Sequence, residues 1–177
     1  IDGGAGADTL TLTAATNVYA SVTDATTETL AVSNVETLAL TVGAASDAID
    51  FDLFASPAAF TKVALTSTLD AATITLTDIQ TDHITLRNTD NVTVADTLAA
   101  LTYDKKDSTS TTDAVTFDIT NRDVTEDFTI TTLTAAGIET LTFNTVGGTH
   151  DDILISTLTA TSAETINITG DADLTVS

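Results

Sequence analysis

The chain has 177 residues, of which 42% are apolar and only 5% aromatic, and it contains no cysteine. This apolar content excludes a disordered acidic tail, and the lack of cysteine excludes disulfides and thiolate metal sites. The 26 acidic residues outnumber 5 basic residues and give a net charge of −21, which disfavours binding to nucleic acid or to anionic membranes.

The chain begins with a glycine-rich loop, IDGGAGADTL. Residues 3–11 fit the nonapeptide pattern G-G-x-G-x-D-x-U-x of calcium-binding RTX repeats. Calcium prefers oxygen ligands, including backbone carbonyls, and glycine allows a loop to turn successive carbonyls inward. A single copy offers half of a coordination shell, and a glycine-rich hairpin loop without an ion is the alternative. The predicted calcium ligands are Gly3, Ala5, Gly6 and Asp8.

Beyond this loop, short segments in which apolar residues alternate with polar residues, most often threonine, predict β-strands. A period of two is typical of a strand with one buried face, and threonine, valine and isoleucine suit such a surface. The predicted strands are 9–13, 37–42, 62–67, 72–77, 83–87, 91–95, 114–120, 128–134, 140–145, 152–157, 165–170 and 173–177.

A tripeptide repeat indicates how these strands are arranged. Glu-Thr-Leu or Glu-Thr-Ile begins a strand at residues 28–30, 36–38, 139–141 and 164–166. The last two copies lie in similar longer segments that start 25 residues apart, at residues 137 and 162. This step matches one coil of a parallel β-helix, in which equivalent residues stack in ladders. The sequence predicts an all-β fold, a parallel β-helix or β-solenoid, with a β-sandwich as the alternative.

Two segments interrupt the strand pattern. Residues 54–62 contain the only proline, and Ser56-Pro57 is typical of a helix N-cap and first helical residue, so a short helix or capping loop is expected there. Residues 103–113, YDKKDSTSTTD, are polar and predict an exposed loop. This loop is also a candidate boundary between two halves of the domain.

Two further acidic turns are candidate calcium sites, with solvated turns as the alternative for both. Asp171 and Asp173 flank a tight turn that includes Gly170. Residues 147–152, GGTHDD, have a glycine pair before two aspartates but lack the third glycine of the nonapeptide. His150, in the second turn, is a candidate transition-metal ligand, but no second histidine accompanies it.

No catalytic site is expected. Asp50 and Asp52 are predicted to alternate along a strand with both carboxylates on one face, but the scarcity of aromatic residues disfavours a glycosidase cleft. His83 is expected to be an exposed strand residue. Serines and threonines are abundant, but no base that would activate one as a nucleophile is evident. The sequence therefore predicts a protein that is not an enzyme.

Several segments resemble the threonine-, alanine- and valine-rich repeats of bacterial surface-layer (S-layer) proteins and giant RTX adhesins, namely residues 35–42, 138–145 and 163–177. The resemblance implies a right-handed parallel β-helix, Ca²⁺ as cofactor, type I secretion and assembly at the cell surface. It also implies that residues 1–12 end an RTX calcium-binding repeat array and that residues 13–177 form a β-solenoid domain.

The expected function is that of a structural segment of a secreted, calcium-dependent S-layer protein, whose partners are copies of itself. An adhesin or extender module of a giant RTX protein, binding glycans or cells, is the alternative, with cell-surface polysaccharide as a second candidate partner. Self-repulsion opposes both folding and association at this net charge, and Ca²⁺ at aspartate-lined turns would remove that penalty. Membrane insertion is not expected, because no apolar run reaches 18 residues.

Overall fold

The computed structural model describes residues 1–13, 30–42, 46–54, 60–67, 72–88, 96–122, 126–147 and 152–177. Within these ranges the chain is all-β, with one short 3-10 helix at Phe51–Leu53. No helix in these ranges has the length and apolar character needed to cross a membrane. The strands are β1 (Thr9–Thr13), β2 (Thr37–Val42), β3 (Ser46–Asp50), β4 (Lys62–Ser67), β5 (Ala72–Ile79), β6 (His83–Asn88), β7 (Asp96–Lys105), β8 (Ala114–Thr120), β9 (Phe128–Ala135), β10 (Thr140–Val146), β11 (Ile153–Ile155), β12 (Leu158–Thr159), β13 (Thr165–Gly170) and β14 (Leu174–Val176).

These strands form two open sheets, and within each sheet every pair of neighbouring strands is parallel. Sheet one has the order β1-β2-β4-β6-β8-β10-β13, and sheet two has the order β14-β11-β9-β7-β5-β3, with β12 paired to β9. From β2 to β11 the chain alternates between the two sheets. The prediction of a parallel all-β fold is confirmed, whereas the antiparallel pairing common in β-sandwiches is not found among the described strands.

Equivalent side chains stack in ladders along each sheet. One inward ladder of sheet one takes a residue from every strand, namely Leu10, Leu38, Val63, Ile84, Phe117, Phe143 and Ile168. Its five inner members are fully buried, whereas Ile168 on β13 is 56% exposed. Successive side chains of a strand point to opposite faces, so alternating threonine and apolar residues place the apolar residues in the core.

The two sheets share one hydrophobic core, and its aromatic rings connect them. Phe117 on β8 stacks on Phe143 of β10 with ring centroids 5.7 Å apart, and Tyr103 on β7 meets Phe117 across the sheets at 6.1 Å. A second aromatic cluster, beyond the end of β3, consists of Phe51, Phe54 and Phe60. All six phenylalanines of the chain are buried, so its few rings are concentrated in the core.

A buried polar network fixes the chain where β6 and β8 leave sheet one. Asn88 Nδ2 donates to Asp96 Oδ2 at 2.7 Å and to Asn121 Oδ1 at 2.6 Å. Asn88 Oδ1 accepts from the backbone N–H of Arg122 at 2.6 Å, and Asn121 Nδ2 donates to the carbonyl of Glu126 at 2.9 Å. Leaving one such buried group unpaired costs about 1–3 kcal/mol, so the network holds both turns in place.

Strands β3, β7 and β12 are not predicted by the alternating pattern. β3 and β7 carry residues that are uncommon in strands, since β3 contains two aspartates and β7 ends in Asp104 and Lys105, and β12 has only two residues. Pairing with neighbouring strands in the same sheet outweighs these weak local preferences. The strand predicted at residues 91–95 lies outside the described residues.

The prediction that Asp50 and Asp52 alternate along one strand is wrong. Asp50 ends β3, and its Oδ1 accepts from the backbone N–H of Asp52 at 2.9 Å. This bond caps the 3-10 helix, in the way that short acidic side chains stabilise helix N-termini. The helix predicted at Ser56-Pro57 lies outside the described residues.

Candidate metal site

The predicted calcium-binding nonapeptide forms the loop before β1 and packs against the segment before β2. The N–H of Gly3 donates to the carbonyl of Ser33 at 3.0 Å. A Cβ at Gly3 would lie 2.0 Å from the carbonyl oxygen of Asn34, so only glycine fits there. Gly4 and Gly6 have φ angles of +88° and +131°, which residues with a Cβ rarely adopt. The loop conformation therefore depends on all three glycines.

The side chain of Asp2 stabilises this loop through two hydrogen bonds. Its Oδ1 accepts from Asn34 Nδ2 at 2.9 Å and from the N–H of Gly4 at 3.1 Å. Both bonds favour the charged carboxylate, the bond from Asn34 most, and they lower the pKa of Asp2. The nonapeptide pattern assigns no role to this residue, which precedes its first glycine.

Asp8, the carboxylate of the nonapeptide, is bonded to the start of β2. Its N–H donates to Glu36 Oε2 at 2.7 Å, and its carbonyl accepts from the N–H groups of Glu36 and Thr37 at 3.2 and 3.1 Å. Asp8 Oδ2 is buried and has no hydrogen-bond partner among the described residues. A buried carboxylate oxygen without a partner is costly, and a hard cation such as Ca²⁺ is a ligand that would remove this cost.

The donor set at this loop fits a calcium ion in its chemistry. The Glu36 carboxylate contacts the backbone of Asp8, which carries a carboxylate of its own, and Gly3, Ala5 and Gly6 supply further backbone carbonyls on the same loop. Within the described ranges, no three acidic or imidazole side chains are grouped closely enough to hold a metal by themselves. A complete shell of six to eight oxygens would therefore draw on carbonyls and water as well as on these carboxylates.

The second predicted pair, Asp171 and Asp173, lies in the turn between β13 and β14. Six strand spacings of about 4.8 Å separate β1 from β13 in sheet one, so Asp171 and Asp8 are about 29 Å apart along the sheet. Asp171 Oδ1 accepts from the N–H of Gly147 at 3.2 Å, and its own N–H donates to the carbonyl of Thr145 at 3.0 Å. The two predicted sites are thus separate, and Asp171 links its turn to the end of β10.

Gly170 determines the shape of that same turn. Its φ is +117°, and a Cβ there would lie 1.9 Å from the carbonyl oxygen of Thr145. The third predicted acidic turn, residues 147–152, is described only at Gly147 and Asp152, so His150 and Asp151 lie outside the described residues.

A second Asp–Glu pair repeats the arrangement of Asp8 and Glu36. The N–H of Asp113 donates to Glu139 Oε2 at 2.9 Å, and its carbonyl accepts from the N–H groups of Glu139 and Thr140, both at 3.0 Å. Each aspartate precedes a strand of sheet one, and each glutamate precedes the next strand in that sheet. The Glu-Thr-Leu repeat indicates the glutamate position, but its partner lies in a remote part of the sequence and only the fold reveals it.

The pair at Asp113 also binds a lysine. Lys105 Nζ lies 3.0 Å from Asp113 Oδ1 and 2.9 Å from Asp82 Oδ1. Burial opposes the charge of Lys105, but the contacts with these carboxylates outweigh it and raise the pKa of the ammonium group. Asp113 Oδ2 is buried without a hydrogen-bond partner among the described residues. In the first pair, no described cation contacts Asp8 within ion-pair distance.

The prediction of an exposed loop at residues 103–113 is correct in the middle and wrong at both ends. Residues 106–112 are exposed, but Asp113 is buried. Tyr103 is also buried, and its hydroxyl donates to the carbonyl of Thr81 at 3.0 Å. Burial is the largest of the effects that raise the pKa of this phenol. Strands on both sides of the loop belong to the same two sheets.

His83 lies at the start of β6 as a partly exposed strand residue. Its Nε2 contacts Asp118 Oδ2 on β8, and Asn144 Nδ2 on β10 donates to Asp118 Oδ1 at 3.1 Å. Burial disfavours the charge of Asp118, but the contacts from His83 and Asn144 outweigh it, and the pKa of this carboxyl is lowered. This row across three neighbouring strands stabilises the outer surface of sheet one.

Comparison of the chain with protein-family models, with curated proteins and with solved structures finds no match.

Proposed function

We propose that this chain is a structural segment of a secreted, calcium-dependent bacterial S-layer protein, and that it assembles at the cell surface through copies of itself. In this proposal the alternating strands wind as a right-handed β-solenoid. Crossover connections between parallel strands are right-handed in nearly all proteins, which supports this handedness. The stacked side-chain ladders of both sheets support the solenoid winding.

The exposed side of β13 is the observation that carries the proposal of self-assembly. Ile166 and Ile168 occupy inward positions of sheet one but are 48% and 56% exposed. An exposed parallel strand edge offers unpaired backbone N–H and C=O groups to another strand, and apolar side chains at that edge strengthen the attraction. The partner strand in our proposal is β1 of a second copy, where Leu10 and Leu12 are only partly buried.

Pairing of β13 with β1 of the next copy would continue the existing ladders. Leu10 occupies the same ladder as Ile168, so the register already used within the sheet brings these two residues together. Such a contact joins two different surfaces of the same molecule, and heterologous contacts of this kind form filaments or extended arrays when they do not close into rings. A calcium ion bound at the loop of Asp8 would lie beside this interface.

Calcium would control assembly through charge. At −21, neighbouring copies repel each other, and a divalent ion at each acidic loop would reduce this repulsion where strands must meet. Asp8, with its buried unpaired oxygen, is the residue that best supports such a site. The proposal places folding and assembly outside the cell, where calcium is abundant.

Electron microscopy of the purified chain, with calcium and with a chelator, tests the proposal. We expect ordered filaments or sheets in calcium and dispersed particles in chelator. The Ile168→Asp variant should remain dispersed in calcium, because it places a charge on the exposed apolar edge. The Thr142→Asp variant is the matched control, since Thr142 lies on the outer face of β10 within sheet one.

Dispersed wild-type particles in calcium would contradict the S-layer proposal. Specific binding of a cell-surface polysaccharide by those dispersed particles would instead favour the adhesin or extender module of a giant RTX protein. Assembly that Ile168→Asp leaves unchanged would show that the contact lies elsewhere on the molecule.

A further inference from the structure

We propose that Lys105 and Asp113 condense to an intramolecular amide, with Asp82 as the proton carrier. The bond would link the end of β7 in sheet two to the start of β8 in sheet one. This inference is independent of calcium binding and of self-assembly.

The two side chains that would react are already in contact. Lys105 Nζ lies 3.0 Å from Asp113 Oδ1, so the nitrogen is close to the carboxyl carbon that it would attack. Reacting groups held at about 3–3.5 Å gain much of the rate advantage of an intramolecular reaction. Asp82 Oδ1 lies 2.9 Å from the same nitrogen and can accept a proton from it.

The backbone on both sides holds this geometry. Two hydrogen bonds hold the backbone of Asp113. Its N–H donates to Glu139 Oε2, and its carbonyl accepts from the N–H of Glu139. Lys105 ends a strand, and the N–H of the following residue, Lys106, donates to the carbonyl of Ile79 at 3.0 Å. The backbone beside both reacting side chains is thus held by hydrogen bonds to neighbouring strands.

Burial makes this ion pair costly, although two carboxylates stabilise the ammonium group of Lys105. The side chains of Lys105 and Asp113 are only 15% and 9% exposed, and Asp113 Oδ2 has no hydrogen-bond partner among the described residues. Keeping an ammonium and a carboxylate apart from water costs free energy, and this cost is larger when one oxygen has no partner. Conversion to an amide removes both charges and releases one water molecule.

The reaction balances without any further reagent. One ammonium proton passes to the Asp113 carboxylate along their contact, which gives a neutral amine and a neutral acid. The Lys105 nitrogen then forms a bond to the Asp113 carboxyl carbon. Asp82 accepts a second proton from this nitrogen and returns it to the hydroxyl group on that carbon, and the carbon–oxygen bond breaks as water leaves. Asp82 is restored as a carboxylate, and one proton stays on the amide nitrogen.

A second lysine–aspartate pair provides an internal comparison. Lys106 also contacts an aspartate, Asp52, but their side chains are 41% and 45% exposed. Water stabilises both charges at such an exposed pair, so it should remain an ordinary ion pair. The proposal is therefore specific to Lys105.

Intact-mass spectrometry of the purified full chain tests the proposal. We expect a mass lower than that calculated from the sequence by one water molecule, and a protease digest should yield a branched peptide joined through Lys105 and Asp113. Lys105→Arg, Asp113→Ala and Asp82→Asn should each show the full calculated mass. Lys106→Arg should retain the loss of water.

A wild-type chain with the full calculated mass, in which Lys105 reacts as a free amine, would overturn the proposal. A loss of water that persists in the Lys105→Arg variant would also overturn it, because the water would then come from another site. The Asp82→Asn variant separates a role in proton transfer from a role in structure. If it folds with an unchanged circular dichroism spectrum and still condenses fully at the wild-type rate, Asp82 is not the proton carrier.

Discussion

Asp47 is a buried acidic residue in a ladder of otherwise apolar side chains. It is paired in register with Ile74 of β5, which in turn is paired with Leu101 of β7, and both of these neighbours are fully buried. Asp47 itself is 5% exposed, and its Oδ1 has no hydrogen-bond partner among the described residues. Burial raises the pKa of this carboxyl, since a charge without a partner is disfavoured in the core.

The Asp47→Asn variant should be more stable than wild type at neutral pH, by about 1 kcal/mol. Asparagine has nearly the same shape as aspartate, so the substitution removes the buried charge and little else. A raised pKa in the folded state means that wild-type stability declines as pH rises from the ordinary value of 3.8 through the folded value. The advantage of the variant should therefore disappear below pH 3.8. Urea unfolding at neutral and acidic pH measures this.

Asp107→Asn is the control for this prediction. Asp107 is exposed, and hydrogen bonds from Thr109, first from its hydroxyl and then from its N–H, lower the pKa of the carboxyl. A lowered pKa contributes stability above the unfolded value, so this variant should show no gain at neutral pH. An Asp47→Asn variant whose advantage does not change with pH would show that the carboxyl is not the cause.

At the level of elements, the glutamates that precede strands act as ties between neighbouring strands. Glu36 and Glu139 each accept a hydrogen bond from the backbone N–H of an aspartate before the adjacent strand. Parallel strands leave such N–H groups at the strand start without a partner in the ladder, and a side chain must then supply the acceptor. At Glu36 and Glu139, two of the four copies, the Glu-Thr-Leu tripeptide thus links neighbouring strands of sheet one.

We expect Glu139→Ala to lower the free energy of unfolding by about 1–3 kcal/mol, because the buried N–H of Asp113 would lose its acceptor. Glu164 provides the matched control. It precedes β13 in the same way, but it is exposed and the structure describes no hydrogen bond to its carboxylate. Glu164→Ala should change the stability by less than about 0.5 kcal/mol. Equal losses in the two variants, measured by urea unfolding, would contradict the proposed tie.

For the whole molecule, net charge is the dominant property. With 26 acidic and 5 basic residues, the chain carries a net charge of −21. Described ion pairs use Lys105 and Lys106, which neutralise only a small part of this charge. Divalent cations are the simplest remaining means of reducing the repulsion, which connects the fold to the calcium dependence that we propose.

Calcium should therefore raise the thermal unfolding temperature, and a chelator should lower it. Calcium at about 100 times its Kd would add about 2.7 kcal/mol to the free energy of unfolding through a single site. Asp8→Asn should lose most of this gain, whereas Asp107→Asn should retain it. Sodium chloride at equal ionic strength separates binding from charge screening. An unfolding temperature that does not respond to calcium or chelator would contradict a calcium site.

Some residues of the candidate site could be predicted from the sequence, and their partners could not. The glycines of the nonapeptide and the strand that follows could be located, because glycine spacing and period-two alternation are local signals. Glu36 beside Asp8 and Lys105 beside Asp113 could not be located as partners. Each of those contacts joins residues in or beside different strands. The number of residues between such partners depends on the lengths of the connections between strands, so no fixed spacing in the sequence reveals them.

The sequence by itself determined the all-β class, most of the strands and the inward position of their apolar residues, since each depends on neighbours only a few positions away. Only the tertiary structure decided the strand order, the burial of Tyr103, Asp47 and Asp113, and the separation of Asp8 from Asp171. These properties depend on which strands pair and in what register. Segments that are distant in the sequence compete to pair, and threonine-rich strands of similar sequence carry little information about which of them are neighbours.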